Sequence, residues 1–72
     1  MAALEIRVTR ITRAPTLGHI LEIGGDDWSQ TEDSVIDFIE RDLCRYYVES
    51  GNERLAVRIA RQKGRKYLTT EA

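Results

Sequence analysis

Ser29-Gln30-Thr31-Glu32-Asp33-Ser34-Val35-Ile36-Asp37-Phe38-Ile39-Glu40-Arg41-Asp42-Leu43 is the stretch on which the fold turns. Val35, Ile36, Phe38, Ile39 and Leu43 recur at helical spacing and make one apolar stripe, while Asp33, Asp37, Glu40 and Arg41 fall opposite. The pattern predicts a helix over residues 30–42 that lays its stripe on a sheet and shows water an acidic face. Ser29 followed by Glu32 fits a capping box, and Thr31 is a competing cap. Asp37 and Arg41 stand one turn apart, placed for an ion pair.

Both flanks read as strands. Upstream, Leu4, Ile6 and Val8 alternate with Glu5, Arg7 and Thr9. Residues 13–18 read as a connection containing Pro15 and Gly18, and residues 19–23 as a second strand with Leu21 and Ile23 inward. Gly24-Gly25-Asp26-Asp27 ends it. Downstream, residues 45–49 form a strand, and Ser50-Gly51-Asn52 supplies turn chemistry. Leu55, Val57 and Ile59 then alternate with Ala56, Arg58 and Ala60, residues 62–65 turn again, and residues 66–70 return as a fifth strand. The expected fold class is α+β: a single domain over residues 1–72, a small antiparallel sheet in the order β-β-α-β-β-β, and one helix packed on one face.

Composition bounds the rest. Seventy-two residues hold one core, and 42% hydrophobic residues suffice to fill it. No apolar run approaches the roughly 18 residues that cross a bilayer, and the first residues lack a secretory pattern. A single cysteine, Cys44, precludes an internal disulfide, so the expected location is cytoplasmic. The net charge of −1 conceals a separation. Residues 1–13 carry +2, residues 14–53 carry ten acids against two arginines, and residues 54–72 carry +5. Opposite charges attracting across the fold are the plain reading, and local fields rather than the total decide encounters.

Several short motifs carry a resemblance. Gly24-Gly25-Asp26-Asp27-Trp28, Ser34-Val35-Ile36-Asp37-Phe38-Ile39-Glu40, Tyr46-Tyr47-Val48 and Lys66-Tyr67-Leu68-Thr69-Thr70 together resemble the small bacterial proteins grouped as domain of unknown function three-eight-nine-two. The likeness spans nearly the whole chain, and Asp42 stands where such sequences often have Gly. The resemblance implies a fold and a bacterial origin, and no reaction.

Candidate sites are few. A Cys44–His19 dyad would need two separate elements to meet; Cys44 reads instead as a small core residue and His19 as a strand-start surface residue. No nucleophile elbow, phosphate loop or paired-histidine motif is present, and a domain this small has little room for a pocket of roughly 300 Å3 or more. Catalytic, cofactor and metal sites are therefore expected to be absent. Asp26, Asp27, Glu32 and Asp33 lack calcium-loop spacing and are explained by the helix dipole, which favours acids at its start by about 0.3–1 kcal/mol each. Trp28 is expected to lap over the helix start and seal one end of the core.

The surface worth testing is the sheet face away from the helix. Alternation assigns it Arg7 and Arg58, with Tyr47 if Val48 is inward and Tyr67 if Leu68 is inward; Lys66 completes the candidate binding face. The expected function is a non-enzymatic interaction module, binding a protein partner or itself and no membrane. The alternative is single-stranded nucleic acid, since arginines beside aromatics suit phosphate contact and base stacking. Glu5 and Glu22 on that face weigh against it.

Overall fold

The computed structural model describes residues 3–15 and 19–71. Its elements are β1 (Leu4–Arg7), β2 (Arg10–Arg13), β3 (Ile20–Gly24), β4 (Ser29–Thr31), α1 (Glu32–Glu40), β5 (Cys44–Ser50), β6 (Glu53–Gln62) and β7 (Arg65–Glu71). They build a four-stranded sheet in the order β1-β5-β6-β7 and a three-stranded sheet in the order β2-β3-β4. The class is α+β, as expected, but the strand order is not the expected β-β-α-β-β-β. Two features correct it.

First, the alternating run at the start of the chain does not stay in one sheet. Leu4 to Arg7 pairs parallel with Cys44 to Tyr47, whereas Arg10 to Arg13 pairs antiparallel with β3. Everything from β2 to α1 intervenes between β1 and β5, a connection long enough for the parallel pairing that a hairpin cannot make. The larger sheet is therefore mixed rather than antiparallel. Second, Ser29, expected as a helix cap, lies in β4, paired with Gly24. Thr31 caps α1 instead, its Oγ1 accepting from the Ser34 N–H at 3.4 Å.

The core fills the space between the two sheets and α1. Val8, Ile20, Ile23, Val35, Ile36, Cys44, Tyr46, Val57 and Leu68 are all buried there. Ile20 rather than Leu21 points inward, and Leu21 is exposed. The register explains it: Arg13 pairs with Ile20 and Thr12 with Glu22, leaving Leu21 as the extra residue of a β-bulge. The bulge puts Ile20 and Ile23 on the same side, which strict alternation forbids. Leu43 and Leu4, both expected inward, are also exposed.

Trp28 packs partly buried against the core, its ring tilted 6.4 Å from that of Tyr46. Gly25 lies so close beneath the indole that any Cβ there would collide with it. Arg10 fastens the same corner, donating to the carbonyls of Gly25 at 3.1 Å and Trp28 at 3.3 Å.

Both hairpins use the turns that the sequence offered. Gly51-Asn52 joins Ser50 to Glu53, with Gly51 at φ 60°. Lys63-Gly64 joins Gln62 to Arg65, with both residues at positive φ, 52° and 78°.

Candidate interaction cleft

Along β5, Cys44 and Tyr46 are buried, whereas Arg45 and Glu49 are exposed. Along β6, Val57 is buried and Arg58 exposed, and along β7 Leu68 is buried. Pairing across the sheet fixes the shared outer face: Arg7 opposite Tyr47, Tyr47 opposite Ala56, Arg58 opposite Thr69, Ala60 opposite Tyr67. Arg7, Tyr47 and Arg58 thus share the face that alternation assigns them. Lys66 does not. It pairs with Arg61 beside Leu68, and its Nζ reaches Glu40 Oε2 of the helix at 2.6 Å. Lys66 is corrected to the helix side because β7 places it one residue from Leu68's neighbour Tyr67, on Leu68's own face.

The aromatics of this face are already engaged. The Arg54 guanidinium lies 3.7 Å from the centre of the Tyr47 ring. Tyr67 stacks on His19 at 4.9 Å and 9°. Charges on the face are also matched: Arg54 meets Glu5 at 3.2 Å, and Arg7 meets Glu49 at 3.9 Å.

Beside this face the sheet opens. Pairing of β5 with β6 runs from Ser50–Glu53 only to Tyr47–Ala56. Continued, the ladder would join Tyr46 to Val57 and Cys44 to Ile59, and it does not. On its other edge the start of β5 is held by β1, which pairs with Cys44 to Tyr47, and the Leu4 N–H donates to the Leu43 carbonyl at 3.0 Å. Leu43 in turn is tied to the helix end, its N–H donating to the Phe38 carbonyl at 2.9 Å. β5 therefore follows β1 and α1, and parts from β6.

The result is a cleft of about 730 Å3, larger than a chain of this length was expected to hold. Ala56 and Arg58 line it from the outer face of β6, Val57 and Ile59 from the inner face. Arg45 and Tyr47 of β5 line it from outside, Cys44 and Tyr46 from inside. Residues from both faces of both strands line it, as they do where two strands part. The cleft is the slot between them, with Ile39 of the helix at its floor and Glu5, Asp42 and Arg54 at its rim.

Tyr46 forms one wall and is fixed in place. Its hydroxyl donates to Gln30 Oε1 at 2.5 Å, and Gln30 Nε2 donates to Ser34 Oγ at 3.1 Å. Burial first, and then the neighbouring Cys44 thiol, push the phenol from 10.0 up to about 12. The wall is a neutral hydrogen-bond donor across the physiological range.

The rejected chemistry takes these positions. Cys44 is a buried residue of the cleft wall, and His19 sits against Tyr67, beside Gln62, Lys63 and Arg65. Of the helix-start acids, Asp26, Asp27 and Asp33 are exposed. Glu32 is instead turned inward, its Oε1 3.6 Å from Arg65 and its Oε2 buried without a hydrogen-bond partner. Among the described residues no group of three or more His, Cys, Asp or Glu could hold a metal ion, and no helix is long and apolar enough to cross a membrane.

Sequence reasoning missed Arg45, Arg54 and the slot itself. The alternation that placed Tyr47 outward places Arg45 there too, so Arg45 was within reach of it. The slot left no local signal, because nothing in the alternation of β5 or β6 marks where their ladder ends. No family model, curated protein or solved structure matches the chain.

Proposed function

We propose that this protein is a non-catalytic interaction module that receives a protein partner in the slot between β5 and β6. The observation that carries the reading is the early end of the β5–β6 ladder, which leaves a strand edge beside a lined cavity. Folded proteins ordinarily cover such edges, because unpaired N–H and C=O groups recruit other chains. An edge kept open next to an apolar floor suits a partner that supplies the missing strand. The one thiol of the cleft, Cys44, is buried in its wall, and no histidine lines the cleft beside it.

A second reading, single-stranded nucleic acid on the outer face, is favoured by Tyr47 with Arg45, Arg54 and Arg58 around the same cleft. Against it, Arg54 occupies the ring of Tyr47, His19 occupies that of Tyr67, and Glu5 and Glu49 neutralise two arginines. A base would have to displace these contacts before stacking.

Selection from a displayed random-peptide library, with each binder mapped by amide shifts, separates the two. Protein binding predicts shifts at residues 44–47 and 54–62. Binders that shift only other residues, or the absence of any binder, would overturn the reading. Short oligonucleotides that shift the outer-face amides, with affinity falling steeply in salt, would install the nucleic-acid reading in its place.

A further inference from the structure

We infer that the slot takes an extended peptide strand that places an acidic side chain opposite Arg58 and apolar side chains on either side of it. This rests on the slot being a protein-binding site, and it specifies the chemistry of the partner.

The free edge belongs to β6. Its ten residues are Glu53–Gln62, and only Glu53 to Ala56 pair with β5, which leaves residues 57–62 open on that side. The other side of the same residues is fully paired with β7, so the strand is held straight and in register. In an antiparallel ladder alternate residues turn both N–H and C=O to the same neighbour, so every second residue of 57–62 offers a donor and an acceptor to the slot. An incoming strand needs no rearrangement of β6 to use them.

Side chains set the pattern. A strand laid along this edge alternates its side chains with the same period as β6. Its residues opposite Val57 and Ile59 turn to the inner side, toward Ile39, Cys44 and Tyr46, where apolar groups are favoured. Its residue opposite Arg58 turns to the outer side. The cleft there is lined by Arg45, Arg54 and Arg58 against Glu5 and Asp42, an excess of one positive charge. Arg54 is satisfied by Glu5 at 3.2 Å and Arg45 meets Asp42 only at 4.0 Å, while no ion pair to Arg58 is found among the described residues. An acidic side chain supplies the partner that Arg58 lacks. Ala56 and Ala60, on the same face, leave room beside it.

The test uses the whole protein and the capped peptide Thr-Thr-Val-Glu-Val, whose last residue falls opposite Val57 in antiparallel register, followed by amide shifts. Shifts at residues 57–62 and 44–47 are expected. Replacing the peptide's Glu by Lys should weaken binding roughly tenfold, as a lost charge pair worth about 1.4 kcal/mol would. The exposed Arg58→Glu variant should reverse that preference, and Arg58→Gln should erase it. Methylating one alternate set of peptide nitrogens should abolish binding and methylating the other set should spare it, a signature that only strand addition gives. Equal binding of the Glu and Lys peptides, or indifference to methylation, overturns the inference. If library-selected peptides of another pattern occupy the slot while this one does not, the inference falls and the protein-binding reading stands. If no peptide enters the slot, both fall.

Discussion

At φ 57°, Asp42 holds a backbone conformation that crowds the Cβ of any L residue. It sits one position past the C-cap Arg41, where the Asp42 N–H donates to the Ile39 carbonyl and the Leu43 N–H to the Phe38 carbonyl. This is the Schellman arrangement, which glycine serves best. Aspartate makes the same two bonds but carries the Cβ penalty. Asp42→Gly should therefore raise stability by about 0.5–1 kcal/mol, less whatever the exposed 4.0 Å pair with Arg45 contributes. A higher denaturation midpoint with an unchanged slope would bear this out; a lower midpoint would mean that the turn is not left-handed in solution.

Tyr46 supports a second residue-level expectation. Its folded phenol titrates near 12, above the ordinary 10.0, so the unfolded chain loses this proton first as pH rises. The contribution is complete below pH 10 and is lost between 10 and 12, a change of roughly 2–3 kcal/mol if no other group compensates. The informative quantity is the difference from Tyr46→Phe. That variant should lose about 1 kcal/mol at neutral pH through the Gln30 hydrogen bond, and its stability should fall less steeply above pH 10. Parallel curves for the two proteins would place the phenol in water.

At the scale of elements, the helix stripe was legible in the sequence and its burial was graded. Val35 and Ile36 are buried, whereas Ile39, at mid-stripe, is half-buried at the floor of the cleft. Ile36→Ala should cost about 2–5 kcal/mol, and Ile39→Ala distinctly less, because part of its surface already meets water. Asp37→Ala should cost well under 1 kcal/mol, since its 3.1 Å pair with Arg41 is exposed. Urea denaturation of the three variants ranks them; an Ile39 loss equal to that of Ile36 would mean that the slot is closed in solution. The hairpins were equally legible, because Gly51-Asn52 and Lys63-Gly64 fix their own registers through local backbone preference. The bulge at Leu21 was not, since nothing in His19-Ile20-Leu21-Glu22-Ile23 says which leucine or isoleucine the partner strand will skip. Periodicity reports a face only where the register is unbroken.

For the molecule as a whole, the charge separation read from the sequence becomes contacts between distant segments. The basic end of the chain meets acids elsewhere through Arg54 with Glu5, Arg65 with Glu32 and Lys66 with Glu40. Sequence could supply that attraction but not its geometry, and the slot shows why. The alternating run of β6 and the turn at Gly51-Asn52 argue for a ladder closed as far as Cys44 and Ile59. The ladder nevertheless stops at Tyr47–Ala56, while on the other edge of β5 the pairing with β1, some forty residues away in sequence, continues to Cys44. The early end of such a ladder has no local signature. It does have a consequence for exchange. Ala56 lies between two paired strands, whereas residues 53–55 have β5 on one side only and residues 57–62 have β7 on one side only. Native hydrogen exchange should therefore be slow at Ala56 and alternate between slow and fast along 57–62, with the fast set facing the slot. A bound strand should slow that fast set selectively. Uniform protection of 57–62 in the free protein would mean that β5 closes on β6 in solution, and the binding edge would then have to be opened before any partner could use it.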